Sequence, residues 1–289
     1  MDVATFGSTC SPASAQFVKN KNAKEFQEQY PRAVEGIIKN HYVDDSLESY
    51  ESIEEAIRVS EEMRLIHANA GFELRNWLSN STEVLHRLSE IKPSSSQDIK
   101  SNRKEFQRVL GMMWWTNEDI LCLSTVVQEA IQKLIDEGER PTKRQLLKCL
   151  MGFFDPLGLW SALLVHGKIL LQDVWRKGTQ WDEKVDDADF ERLTRWASLF
   201  QDIGEIRIPR CYFQNATVRH YQNLQLHIFA DASEVAYAAA AYFRITKPDS
   251  IVECTLVAAK TKVAPLKPLS IPRLELRAAV LGVRLMQFV

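Results

Sequence analysis

The sequence predicts an α+β protein, and three observations carry this. Residues 13–80 order as helix, helix, hairpin, helix, strand. A helical stretch holding four of the seven tryptophans follows, to about Gln201. From Leu224 three β-favouring runs lead into a helix with one apolar stripe, the pattern of an α/β layer. With 289 residues, 45% of them hydrophobic, the chain is long enough for two domains and for a sizeable core.

Each element has a local reason. Phe6-Gly7-Ser8 reads as a turn, and Pro12 suits the first turn of a helix carrying Ala15, Phe17 and Val18. Pro31 opens a second helix, with Ala33, Val34, Ile37 and Ile38 at helical spacing. "HYV" favours a strand, Asp44-Asp45 favour a turn, and "SLESY" offers the return strand, so a hairpin is expected with both acids at its tip. Ser52 and Glu55 form a capping-box signature for a helix carrying Ile53, Ala56, Ile57 and Met63 and stopping at Gly71. "FELRNWLSN" reads as a strand, and the polar stretch 92–104 as a loop. "VLGMMWWTNEDILCLS" reads as a hairpin turning at Asn117-Glu118.

Helix starts are expected at Thr142 and at Asp155-Pro156. Trp160, Trp175, Trp181 and Trp196 are expected in the core rather than as a platform for bases. A domain boundary is expected between about 205 and 223. "LQLHIFADAS" then alternates and ends in Asp231, and "VAYAAAAYFRI" and "VECTLVAAKTKV" supply two more strands. The last helix starts near Pro272, with Leu274, Ala278, Leu281 and Leu285 on one stripe.

Composition and motifs exclude several classes. A net charge of -2 argues against a uniformly basic nucleic-acid binder but leaves room for a local basic surface. Five dispersed cysteines with no CxxC suit a reducing compartment rather than a disulfide framework or a zinc site. No signal peptide and no membrane-length apolar run are visible, so the expected location is cytoplasmic, without a membrane partner. The sequence has no GxxxxGK[ST] loop, no HExxH and no GxSxG. The six histidines are scattered.

Four carboxylates stand out. Asp44 and Asp45 are adjacent and repel each other; water or a metal ion can hold them. Polymerases that use two Mg²⁺ ions hold them about 3.5–4 Å apart on carboxylates from separate strands, with nucleotide phosphates completing the shell. An exposed acidic turn has the same sequence. Asp231 ends an alternating strand, where ligands meet α/β sheets, and Glu275 lies in a largely apolar helix. Glu275 therefore pairs either with Arg273 or Arg277, or with Asp231 through a metal. From Ala258 to Val289 six cations (Lys260, Lys262, Lys267, Arg273, Arg277, Arg284) face one acid; "ERPTKRQLLK" is a smaller cluster. Both suit phosphate contact or a solvated face.

Taken in order, "FGSTCSP", "HYVDDSLESY", "AGFELRNWLSN", "LGMMWW", "FFDPLGLWSALLVHGKILLQDVW", "LHIFADASEVAYAAAAYF" and "VAPLKPLSIPRLELRAAV" resemble the Pol polyprotein of BEL/Pao-type LTR retrotransposons. The resemblance covers nearly the whole chain. It implies the later part of a reverse-transcriptase palm over 1–91, a thumb/connection-like helical region over 105–205, and the start of an RNase H-like domain over 224–289. Phe6 and Gly7 would shape the nucleotide and template pocket. Tyr42 and Val43 would belong to the catalytic hairpin whose carboxylates are Asp44 and Asp45, and "LGMMWW" resembles the primer-grip region. Asp231 and Glu275 would be the first two RNase H metal ligands.

The cofactor implied is Mg²⁺ or Mn²⁺. The partners implied are an RNA or DNA template-primer, an RNA–DNA hybrid and the rest of the polyprotein. Such a palm uses a further aspartate on an earlier strand, and RNase H a further aspartate on a strand after the helix. Neither is found in this sequence, so the isolated chain is expected to be catalytically weak or inactive. A non-enzymatic nucleic-acid-binding remnant, or a truncated gene model, is the alternative. Aspartic peptidase activity is not expected, because no D-[ST]-G triplet occurs.

Overall fold

Proline, capping and apolar spacing place the first helices. In the computed structural model, which describes residues 9–90, 107–109, 112–123, 126–200, 206–213, 222–246 and 251–289, α1 is Ser11–Glu25 and α2 is Pro31–Lys39, each with Pro in its first turn. The turn expected at Phe6-Gly7 and the loop expected over 92–104 lie outside the described residues. The chain divides into two compact units: Met1–Phe106 with Thr116–Glu118, and Gln107–Trp115 with Asp119–Val289.

In the first unit α1 and α2 pack with α3 (Ile53–Asn69) around Ala23, Ala33, Val34, Ile37, Val59, Met63 and Ile66. Ser52 caps α3 by accepting from the Glu55 N–H at 3.1 Å. The reciprocal bond goes one residue further back, to the Glu51 N–H. A short hairpin, β1 (His41–Tyr42) and β2 (Asp45–Ser46), joins α2 to α3. The return strand is far shorter than "SLESY", because Glu48 turns inward to Arg32 and Asn40.

The strand expected at "FELRNWLSN" does not form. Asn76 takes a positive φ of 56°, and Arg75 closes on Glu73 within the same segment, so the backbone cannot run extended. A helix missed from sequence follows, α4 (Thr82–Glu90), which buries Val84 and Leu88.

The second unit starts with a four-stranded antiparallel sheet in the order β3 (Gln107–Val109), β4 (Met112–Trp115), β5 (Ile120–Cys122), β6 (Ile208–Pro209). The β4–β5 hairpin turns at 116–119, as expected. Four helices lie between β5 and β6: α5 (Val126–Asp136), α6 (Lys143–Gly152), α7 (Ser161–Arg176) and α8 (Asp187–Ser198). Thr142 and Gln145 make a complete capping box at the start of α6.

These helices enclose Leu146, Leu164, Leu170, Val174, Val185 and an aromatic group. Phe153 stacks on Phe200 at 5.0 Å, and Trp196 meets both edge-on. Trp160 and Trp196 are core residues, as expected. Trp175 and Trp181 are not, at 45% and 39% exposure; they stand edge to face around the buried Lys143 ammonium, which is 3.9 Å from the Trp175 ring.

The C-terminal layer is a three-stranded antiparallel sheet, β7 (Gln222–Ala232), β8 (Ala236–Thr246) and β9 (Val252–Val263), with α9 (Ile271–Phe288) on one face. It shares a compact unit with the helices before it. The join is the stretch 155–161. No helix starts at Asp155-Pro156. Instead Asp155 accepts the backbone N–H groups of Leu159 and Trp160 at 2.9 and 3.0 Å and closes a turn. Leu157 accepts the Ala259 N–H at 2.8 Å, so the turn covers the outer edge of β9. The Thr261 hydroxyl donates to Ser161 O, and the Gln172 amide to Ala264 O.

Gly158 is required at this join twice over. Its φ is +72°, and a Cβ there would lie 1.8 Å from the Ala259 carbonyl oxygen. Gly158→Ala should therefore lower stability by about 3 kcal/mol, at the upper end of backbone-strain costs. A loss of several degrees in the thermal midpoint checks this; an unchanged midpoint would show that the turn does not hold β9.

Candidate metal and nucleic-acid site

The first candidate group is the β1–β2 hairpin. His41 pairs with Ser46 and Tyr42 with Asp45, leaving Val43-Asp44 as a two-residue turn. Asp44 alone is therefore at the tip, and Asp45 starts the return strand beside Tyr42, which corrects the expectation of two acids at the tip. Tyr42, Val43, Asp44 and Asp45 are all exposed. Val43 has φ +55°, a conformation that two-residue hairpin turns normally give to Gly or Asn. A β-branched residue there stores about 1–3 kcal/mol, a kind of strain that clusters at functional sites.

Neighbours hold this turn. The Gln16 amide on α1 donates to Val43 O at 2.6 Å. At the base, the Leu47 N–H donates to Asn40 O, and the Glu48 carboxylate accepts from Arg32 at 2.8 Å and Asn40 at 2.9 Å. Gly36 on α2 makes room, since a Cβ there would lie 2.3 Å from Glu48 Oε1. Gln16 and Glu48 were not legible as site residues; nothing in sequence ties them to residues 27 and 8 positions away.

The inner face of the hairpin is basic and dry. The His41 and His67 rings stack at 5.0 Å. His67 is 3% exposed; its Nδ1 lies 2.7 Å from Met63 O, and its Nε2 has no partner, nor have His41 Nδ1 and Ser46 Oγ. Burial, then the Lys19 ammonium, then His67 push the His41 pKa down to about 4. Burial and Lys19 lower that of His67, against the pull of its bond to Met63. Lys19 itself, buried and donating to Ile37 O at 3.0 Å, is lowered to about 8.

The second candidate group is at the end of the C-terminal layer. Leu274, Ala278, Leu281 and Leu285 of α9 pack on Ala239 and Ala241 of β8. Gly282 comes closest to the sheet: a Cβ there would be 3.0 Å from Ile228 and 3.7 Å from Ala230 on β7. Glu275 is seven residues before Gly282, so both lie on the flank of α9 that faces β7. That offset is about 10 Å of helix, or about three residues of strand. Glu275 thus comes level with the end of β7, where Asp231 sits.

Strand alternation then separates the two carboxylates. Ile228 and Ala232 turn toward α9, so Asp231 turns to the other face with Phe229 and His227. A shared ion would have to sit at the rim of the layer, not between strand and helix. Among the described residues the carboxylate of neither Asp231 nor Glu275 has a hydrogen-bond or ion-pair partner, so the expected alternatives Arg273 and Arg277 do not claim Glu275. No group of three or more His, Cys, Asp or Glu able to hold a metal occurs among those residues.

Residues 142–289, just over half of the chain, match the family described as the Pao retrotransposon-like RNaseH-like domain. The chain belongs to this family. A comparison with curated proteins found no match. The family segment contains the 155–161 join, Asp231, Glu275 and the whole C-terminal layer. It joins the helical stretch expected as thumb and connection to the layer expected as RNase H-like, and the Tyr42–Asp45 hairpin lies outside it. No helix among the described residues is long and apolar enough to cross a membrane.

Two outcomes follow. Val43→Gly relieves the turn at some cost in chain entropy, and should raise the urea midpoint by the equivalent of about 1 kcal/mol. The pH outcome comes from His41. Its imidazole takes a proton near pH 6.5 when unfolded and near pH 4 when folded, so the unfolded chain binds more protons between those values. The His41 contribution is full above pH 6.5 and falls as pH drops toward 4, by about 2 kcal/mol once solvent screening of the part-exposed ring is allowed for. Hydrogen exchange of the α3 amides, corrected for intrinsic rates, should accelerate over that window in wild type and much less in His41→Phe.

Proposed function

We propose that the chain is part of a Pao-type retrotransposon Pol protein, an RNA-directed DNA polymerase with RNase H. Its C-terminal layer contributes two carboxylates, Asp231 and Glu275, to an RNase H-like metal site. What supports this is that the segment matching an RNaseH-like family holds both carboxylates, and that the seating of Gly282 on β7 sets Glu275 level with the Asp231 end of that strand. Hard oxygen donors suit Mg²⁺ or Mn²⁺, which keeps several waters and uses only one or two protein carboxylates. The ion would activate water and neutralise charge on the scissile phosphate of an RNA–DNA hybrid.

By the same reading the Tyr42–Asp45 hairpin belongs to a reverse-transcriptase palm. Asp44 and Asp45 would be its metal carboxylates, Phe6 and Gly7 part of its nucleotide pocket, and a template-primer its substrate. The strained Val43 turn and its Gln16 tether favour a functional hairpin over an idle acidic turn. A cytoplasmic location and the rest of the polyprotein as partner complete the reading. With two candidate carboxylates per site, this stretch alone should bind hybrid and metal but turn over weakly or not at all.

Titration calorimetry with Mn²⁺ in the presence of hybrid tests it. Asp231→Asn and Glu275→Gln should each weaken Mn²⁺ binding about tenfold, as should Asp44→Asn with template-primer. Equal Mn²⁺ affinity in wild type and all three variants would reject both metal assignments.

A further inference from the structure

One flank of α9 has no role in the reading above. Arg273, Arg277, Arg284 and Phe288 follow at steps of four, seven and four, so they form one stripe along the helix. It is the flank opposite Glu275 and Gly282. Phe288 shows where it points: the Lys260 ammonium of β9 lies 5.5 Å from its ring, and Phe288 shares a cavity of about 190 Å³ with Val257 and Ala258 of β9. Lys260 and Lys262 are two apart on β9 and so share the face turned to α9. Two rows of cations, three arginines on α9 and two lysines on β9, therefore line one groove. Lys267 stands in the connection between the two elements.

All six of these cations are exposed, and none of their charged groups has an ion-pair or hydrogen-bond partner among the described residues. Elsewhere in the same unit Arg140, Arg144, Arg176, Arg192 and Arg210 each meet an aspartate. The one acid of α9, Glu275, is on the other flank. An uncompensated double row of this kind repels itself unless an extended anion lies between the rows. From Arg273 to Arg284 the stripe spans about 16 Å, which matches about five phosphates of one strand at 3.4 Å of axis each.

We infer that the groove between α9 and β9 is a binding surface for the phosphate backbone of a nucleic-acid duplex. This rests on the nucleic-acid reading only for the choice of polyanion. A membrane-surface helix would carry cations on both sides of its exposed apolar stripe of Leu276, Val280 and Val283. Here the other side holds Glu275 and Gly282 and no cation, which disfavours a lipid surface.

The test is fluorescence anisotropy of a labelled RNA–DNA hybrid of about 20 base pairs with the full chain, in EDTA, across a salt series. Working without metal makes the result independent of Asp231 and Glu275, so failure of the metal assignment and failure of this inference are separable. Arg277→Glu with Arg284→Glu should bind about tenfold more weakly and lower the salt slope by about 2. Lys260→Gln with Lys262→Gln, which leaves α9 untouched, should act in the same direction and covers the case where the first variant misfolds. Arg144→Glu, whose partner is Asp182, should bind as wild type. Wild-type affinity and slope in both groove variants overturn the inference. So does binding of the wild type to phosphatidylserine vesicles, but not to hybrid, that the same variants lose.

Discussion

The close seating of α9 on the sheet fixes the rest of the C-terminal layer. Ala239 and Ala241 on β8 meet Ala278 and Gly282 on α9, and Leu274, Leu281 and Leu285 fill the rest of the interface. Such an interface admits one rotation of the helix, because a turn of one position lifts the leucines out of the core and swings Glu275 or a flanking arginine toward the strands. That rotation decides three things together. It puts Glu275 on the β7 flank, the arginines on the β9 flank, and Leu276, Val280 and Val283 outward. Ala239, Ala241, Ala278 and Gly282 thereby help set where the charges go.

The first unit achieves orientation differently, by strain and tethers rather than by close packing. The β1–β2 ladder is too short to be stable alone. Its turn carries a residue ill suited to the backbone, and its inner face leaves His41 Nδ1, His67 Nε2 and the Ser46 hydroxyl without hydrogen bonds. Gln16, Arg32 with Glu48, and the packing of His41 on His67 hold it against those costs. A merely connecting loop has no need of such support; on the proposed palm reading, a hairpin presenting carboxylates at a fixed place would.

The legible parts of the sequence were those written in local rules. Proline positions, the Ser52–Glu55 signature, Thr142 and the four-residue apolar stripe of α9 marked the helices, and one alternating and two β-favouring runs marked β7, β8 and β9. Errors came where a long-range bond overrode a local preference. Asp155-Pro156 looks like a helix start, but the aspartate caps a turn whose reason for existing is the edge of β9, about a hundred residues later. "SLESY" looks like a strand until Glu48 is claimed by Arg32. For the site, the carboxylates themselves were visible, and their surroundings were not. Only strand parity shows that Asp231 faces away from α9, and only the seating of Gly282 shows which flank of α9 carries Glu275.

The separation of charge on α9 has a chemical consequence. Had Arg273 or Arg277 been turned toward Glu275, the ion pair would have satisfied the carboxylate and left little attraction for a metal. With the cations on the far flank, a duplex held by its phosphates in the α9–β9 groove would have its other strand free to reach the rim. There the unpaired Glu275 and Asp231 offer oxygen donors only. On the proposed reading, one helix would serve as a divider between a surface that positions a polyanion and an edge that takes a cation. The divider would work only while the packed alanine and leucine interface keeps the helix from turning.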